Sequence, residues 1–227
     1  MCFVSFVTNR IFLLSPANCG GTRAKQVVSP GARFPLAERL RSREGAQLGE
    51  VFAFVSGLYF RGKLAYARRF AAVPDPGNAV IRDGVHVITP TAGLRTPDTA
   101  LTLSAMRVFA GTDVHPGNAG YRRPLEQSAR ALSREIGEEC DVVLLGSIAS
   151  PKYIDVLLAI FGDRLQFPVD FVGRGDMSRG GLLLRQVAEG TELPYAPVAG
   201  AVLHGARPPR LPPLRFPQPR SSRSVSE

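Results

Sequence analysis

Cysteine, histidine and long apolar runs are all scarce in this chain of 227 residues, and each scarcity closes off a class of function. Three cysteines, Cys2, Cys19 and Cys140, show no metal-type spacing and leave one thiol over, which fits a reducing cytosol better than a secreted disulfide scaffold. His86, His115 and His204 lie far apart, so each reads as a structural or surface residue and not as part of a ligand set. No window reaches the roughly 18 uninterrupted apolar residues of a membrane span, and no membrane association is expected. The opening MCFVSFVTNR is apolar, but no basic residue precedes its run and Arg10 interrupts it, so residues 1–10 read as a leader to the first strand. Acids are short as well: 19 Asp and Glu face 28 Lys and Arg, a formal net charge of +9 that predicts an anionic partner such as nucleic acid or nucleotide. Part of that excess sits in residues 204–227, rich in Pro and Arg with Glu227 the only acid, which read as a disordered basic tail.

What is present is a core. A hydrophobic content of 44% is that of a globular chain, and the length suits one large domain, read here over residues 11–203. The stretch from Ile11 to Lys25 organises the reading. Four bulky apolar residues in a row suit a strand covered on both faces, and Pro16, lacking an amide hydrogen, ends it. The chain then passes Ser15, Asn18, Gly20 and Gly21 into Arg23 and Lys25. Glycine backbones there can aim amide hydrogens at an anion with two cations close behind, although a plain basic surface turn has the same spacing.

Further strands are predicted at Val85 to Thr89, Val142 to Leu145 and Leu165 to Val172. Helical spacing recurs around Leu125, Ala129, Leu132 and Ile136, with Gly137 as terminator. From Leu58 to Phe70, Tyr59, Tyr66 and Phe70 alternate with Arg61, Lys63, Arg68 and Arg69. That pattern suits either a nucleic-acid surface, with rings for bases and cations for phosphates, or an amphipathic helix with its aromatics inward. After Val142 to Leu145 a small-residue turn leads into a helix from about Lys152 to Phe161, making Ser147, Ser150 and Lys152 anion-site candidates. The segment GRGDMSRGG, Gly173 to Gly181, reads as a third cationic, glycine-rich turn. The fold class is therefore α/β: a single mixed domain with a central sheet and cationic loops at strand ends.

These loops resemble the YaaA family of peroxide-stress proteins. The resemblance rests on Ser15-Pro16-Ala17, Ala53-Phe54 with Tyr59 and Gly62, Gly93-Leu94 with Pro97-Asp98, Ala149-Ser150 with Tyr153, and Arg174-Gly175-Asp176-Met177-Ser178-Arg179, in order across about Ile11 to Leu184. Asn18 stands where the family has lysine, so Arg23 or Lys25 would have to replace that cation. The resemblance implies one α/β domain of unusual topology, a basic cleft, DNA binding and a role in limiting oxidative damage linked to intracellular iron.

The expectation is a cytoplasmic nucleic-acid-binding protein of the peroxide-stress response. Ser15, Asn18, Arg23, Lys25, Arg61, Lys63, Ser150, Lys152, Arg174, Ser178 and Arg179 would hold phosphates in one cleft, with Tyr59 and Tyr153 stacking on bases. The alternative is an enzyme on a nucleotide or modified nucleobase in the same pocket, with Asp98 or Asp176 as acid or base. No metal site, cofactor motif or protein partner is called for, although the tail could serve as a ligand for another protein.

Overall fold

Ile11 to Leu14 are fully buried in succession, a demand met by a strand with packed layers on both faces. That strand, β1 (Arg10–Leu14), is a central strand of a six-stranded sheet. The computed structural model describes residues 8–149, 151–201, 205, 206, 208, 209 and 211. In the sheet, β3 (Val85–Thr89), β1, β6 (Asp141–Leu145) and β7 (Leu165–Pro168) lie parallel in that order. Antiparallel β4 (Gly93–Arg95) and β8 (Tyr195–Pro197) close its two edges. A small ribbon, β2 (Ala46–Gln47) with β5 (Ala100–Leu101), stands apart. The fold is mixed α/β, as the sequence predicts.

Alternation along the strands divides the core in two. Phe12 and Leu14, with Val85, Val87, Val143 and Leu145, face a layer built by α1 (Thr22–Val28), α2 (Pro35–Arg41), α3 (Leu48–Ser56), α4 (Leu58–Phe70), α5 (Leu103–Gly111) and α8 (Asp176–Glu189). Ile11, Leu13, Val142 and Leu144 face α6 (Ala119–Ile136) and α7 (Pro151–Phe161). From β1 the chain leaves into the first layer, and from β6 it leaves through α7 into the second. Neighbouring parallel strands that depart to opposite faces open a crevice at their carboxyl ends, where α/β sheets take their ligands.

Several local expectations change. The glycine-rich stretch read as a turn, Gly173 to Gly181, becomes helix from Asp176 onward, because its glycines serve packing. A methyl on Gly62 of α4 would fall 2.7 Å from the Gly180 carbonyl oxygen, and one on Gly180 would fall 2.8 Å from the Leu58 oxygen, so the two helices cross backbone to backbone. Gly20 and Gly21 do not adopt the positive φ that only glycine takes easily, which removes the special backbone expected of that turn. β7 stops at Pro168 and gives way to a single 3-10 turn, Val169–Phe171. In α4 the aromatics Tyr59, Phe60 and Tyr66 face the core while Arg61, Arg68 and Arg69 face solvent, so the amphipathic reading holds for this helix and the base-stacking surface does not. Residues 1–7 of the expected leader and most of the expected tail lie outside the described residues. Of the tail, Leu211 packs on the first core layer.

The α4–α8 crossing can be tested with paired alanines. Gly62→Ala places its methyl against backbone and should cost about 1–3 kcal/mol, read as a lowered Tm. Gly181→Ala on the same stretch, whose methyl would only touch Leu211 at 3.8 Å, should be neutral or slightly stabilising. Equal losses at both positions would contradict this packing.

Candidate functional site

At the carboxyl end of β1 the chain turns through Ser15, Pro16, Ala17, Asn18, Cys19 and Gly20. This turn is one wall of a cleft of about 520 Å³ that also includes Tyr59, Ser147, Lys152, Tyr153 and Asp176. The cleft lies at the β1–β6 crevice. A turn this close to a neighbouring strand needs a residue without a side chain opposite it. Gly146, directly after β6, supplies that: a methyl there would lie 2.9 Å from both Ser15 Cβ and Tyr153 Oη. The Tyr153 hydroxyl is held by Ser147, donating to its carbonyl at 3.0 Å and accepting from its amide at 3.1 Å.

Beneath Ser15 lies Lys63, 1% exposed and reaching up from α4. Its Nζ is 2.7 Å from the Ser15 carbonyl oxygen and 2.9 Å from Ser15 Oγ. The same nitrogen sits over the rings of Tyr59 at 4.5 Å and Phe60 at 4.9 Å. Among the described residues no carboxylate comes within ion-pair distance of it. Burial therefore outweighs the attraction of Asp176 and brings the amine down to about 7, with Arg179 pushing the same way as burial. A lysine near neutrality is a base as readily as a cation.

Asn18 organises the turn itself. Its Oδ1 accepts from the Gly20 amide at 3.1 Å and its carbonyl from the Gly21 amide at 3.2 Å, so those two hydrogens are used within the turn and do not point at a ligand. The amides of Ala17, Asn18 and Cys19 donate to no protein acceptor among the described residues. Cys19 lines the cleft too, but burial pushes its thiol up to about 12 and its Sγ lies 3.5 Å from the Ala17 carbonyl, so it is unreactive.

The remaining predicted residues divide. Ser15, Asn18, Tyr59, Lys152, Tyr153 and Asp176 come together at the cleft, while Lys63 is buried behind Ser15, does not line it and so, contrary to expectation, cannot hold a phosphate there. Tyr59 and Tyr153 are each only 5% exposed, so their rings are packed and cannot stack on bases. Arg179 is a latch: its guanidinium donates to the Phe171 carbonyl at 3.0 and 3.2 Å and covers the Phe171 ring. The Tyr59 hydroxyl is buried beside that guanidinium without a well-formed hydrogen bond. Arg174 bonds the Asp170 carbonyl and Ser178, and with Ser178 faces a different hollow. Arg23 lies over Gly57, and neither it nor Lys25 nor Arg61 lines the cleft. Asp98 pairs with Arg68 at the surface at 2.8 Å, away from the cleft, which removes it as an acid or base there. Ser150 lies outside the described residues.

Compared with known proteins, the chain matches no family model, no curated protein and no solved structure. The reading therefore stands on geometry. Among the described residues no cluster of His, Cys, Asp and Glu could hold a metal, and no helix is long and apolar enough to cross a membrane.

Sequence reading groups Lys63 with Arg61 among the cations that would hold phosphate, whereas the structure buries it. Helical phase was the available signal: Tyr59, Lys63, Tyr66 and Ala67 follow i, i+4, i+7, i+8 and share one buried stripe.

The depressed amine makes stability depend on pH with a definite sign. Between about 7 and the ordinary 10.5 the unfolded chain binds a proton at Lys63 that the folded chain does not, so this group's contribution favours folding increasingly as pH rises. Cys19 and Cys140, raised by burial to about 12 and about 11, act the opposite way above the ordinary thiol value of 9.0. Denaturant midpoints should therefore rise from pH 7 to 9 and fall beyond, where two thiols oppose one amine, and Lys63→Met should abolish the rise. A midpoint that is flat or falling over pH 7 to 9 in the parent chain would contradict the assignment.

Proposed function

We propose that the cleft at the ends of β1 and β6 binds a small phosphate-bearing molecule of nucleotide size, and that the protein acts on it. The supporting observation is the meeting, at the crevice between strands that depart to opposite faces, of unbonded turn amides at Ala17 to Cys19 with the exposed Lys152. Residues with unbonded turn amides and a cation line this hollow together with the carboxylates of Asp113 and Asp176. That mixed lining offers donors to an anionic group and acceptors to its hydroxyls, while a volume of about 520 Å³ accommodates a mononucleotide rather than a duplex. Asp176, exposed in the first turn of α8, would meet a ligand hydroxyl or ring nitrogen.

A second reading, polymer binding along the surface, draws on the net charge of +9 and on the exposed Arg61 and Arg69 of α4. The peroxide-stress role and the cytosolic location rest on the short motifs and, for location, on two buried thiols that remain free, Cys19 and Cys140.

Thermal shift and calorimetry with mononucleotides and with duplex DNA separate the readings, because bound ligand raises apparent stability by mass action. The cleft reading expects a mononucleotide to raise Tm and Lys152→Ala to weaken it about tenfold, the loss of a charge-assisted hydrogen bond. DNA binding alone, with a steep inverse dependence on salt and no effect of Lys152→Ala, would favour the surface reading and overturn the cleft.

A further inference from the structure

The Ser15 and Lys63 side chains suggest more than binding. We propose that Ser15 is a nucleophile and Lys63 its proton acceptor, attacking the carbonyl carbon of an ester of a small anionic molecule held in the cleft. This deepens the ligand reading given above and rests on it for the anionic part of the substrate.

The argument is one of placement. Ser15 lines the cleft and the Lys63 amine lies directly behind its hydroxyl, so the hydroxyl is the group a substrate meets first. The 2.9 Å separation is the hydrogen-bonded distance a nucleophile and its base require. With the amine neutral, one N–H can donate to the Ser15 carbonyl while the lone pair accepts the Oγ hydrogen. The groups facing Lys63 are Tyr59 on its own helix and Asp176 and Arg179 on α8, while Tyr153 of α7 adjoins Ser15. The Cys19 thiol in the same cleft is held protonated by burial, and Ser15 is the cleft hydroxyl that lies against the Lys63 amine. Pro16, directly after the nucleophile, has no amide hydrogen, so the oxyanion would be met by the unbonded amides of Ala17, Asn18 and Cys19.

The steps balance without a further reagent than water. Ser15 Oγ gives its proton to the Lys63 amine as it bonds to the carbonyl carbon, and the carbonyl pair moves onto oxygen. As the carbonyl reforms, the bond to the leaving alcohol breaks and that alcohol takes the proton from the Lys63 ammonium. Water then passes a proton to the same amine and adds to the acyl-serine, and the carboxylic acid leaves as Ser15 recovers its hydrogen.

The test is labelling of the full chain with a fluorophosphonate, followed by intact mass and peptide mapping. One adduct per chain on Ser15 is expected, at a rate that rises through about pH 7 with the neutral fraction of Lys63. Ser15→Ala keeps the backbone carbonyl that Lys63 grips, so it should fold and lose the adduct. Lys63→Met should slow labelling on the order of 100-fold, the usual contribution of a general base. Should that variant prove unfolded, the pH profile of the parent chain still decides, since an unassisted serine shows no titration near 7. A folded parent chain that takes no label between pH 6 and 9, or whose label persists in Ser15→Ala, overturns the nucleophile. Mononucleotide binding without labelling removes the nucleophile and leaves the ligand reading; labelling without such binding keeps the nucleophile and removes that ligand.

Discussion

Burying a lysine amine without a carboxylate partner is costly, and in this protein the chain is arranged around that cost. Lys63 is covered by Tyr59 and Phe60, gripped by the Ser15 carbonyl and hydroxyl, and attracted among the described residues by Asp176, which lies beyond ion-pair reach. Hydrogen bonds to neutral oxygens do not offset the desolvation of a full charge, so the amine moves toward neutrality instead. The same contact fixes the first turn of the fold: it ties α4 to the end of β1 and sets where the chain departs after Ser15.

Glycines make the close approaches around this contact possible. Gly146 lets the end of β6 pass against Ser15 and Tyr153, and the Gly62–Gly180 crossing brings α8 near enough to α4 for Asp176 and Arg179 to reach the field of Lys63. Arg179 and Arg174 then spend their hydrogen bonds on the carbonyls of Phe171 and Asp170, holding the approach to α8 in place. Cations that a linear reading assigns to ligand contact are thus divided between a buried amine, structural latches and solvent.

Much of the fold was legible in residue order because buried parallel strands write themselves as unbroken apolar runs. Ile11 to Leu14, Val85 to Thr89 and Val142 to Leu145 all appear as read, and Pro16 ends the first where its missing amide hydrogen requires. The segment after Gly173 was illegible for a specific reason: Gly180 is present for interhelical distance, which only the partner helix reveals, and in isolation glycine signals a turn. Of the site, Ser15, Asn18, Lys152, Tyr153 and Asp176 could be found because strand ends and helix starts are where ligands bind. The pairing of Ser15 with Lys63, 48 residues apart, depends on the helical phase of α4 and on its packing over β1, neither of which local composition encodes.

The most direct measurement is the titration midpoint of Lys63, followed by NMR on its ε-carbon in the folded protein labelled at lysine. A midpoint near 7 is predicted, well separated from the solvent-exposed lysines. A midpoint at the ordinary 10.5 would show an amine in contact with water or paired with a carboxylate, and the buried contact on which the account rests would be wrong.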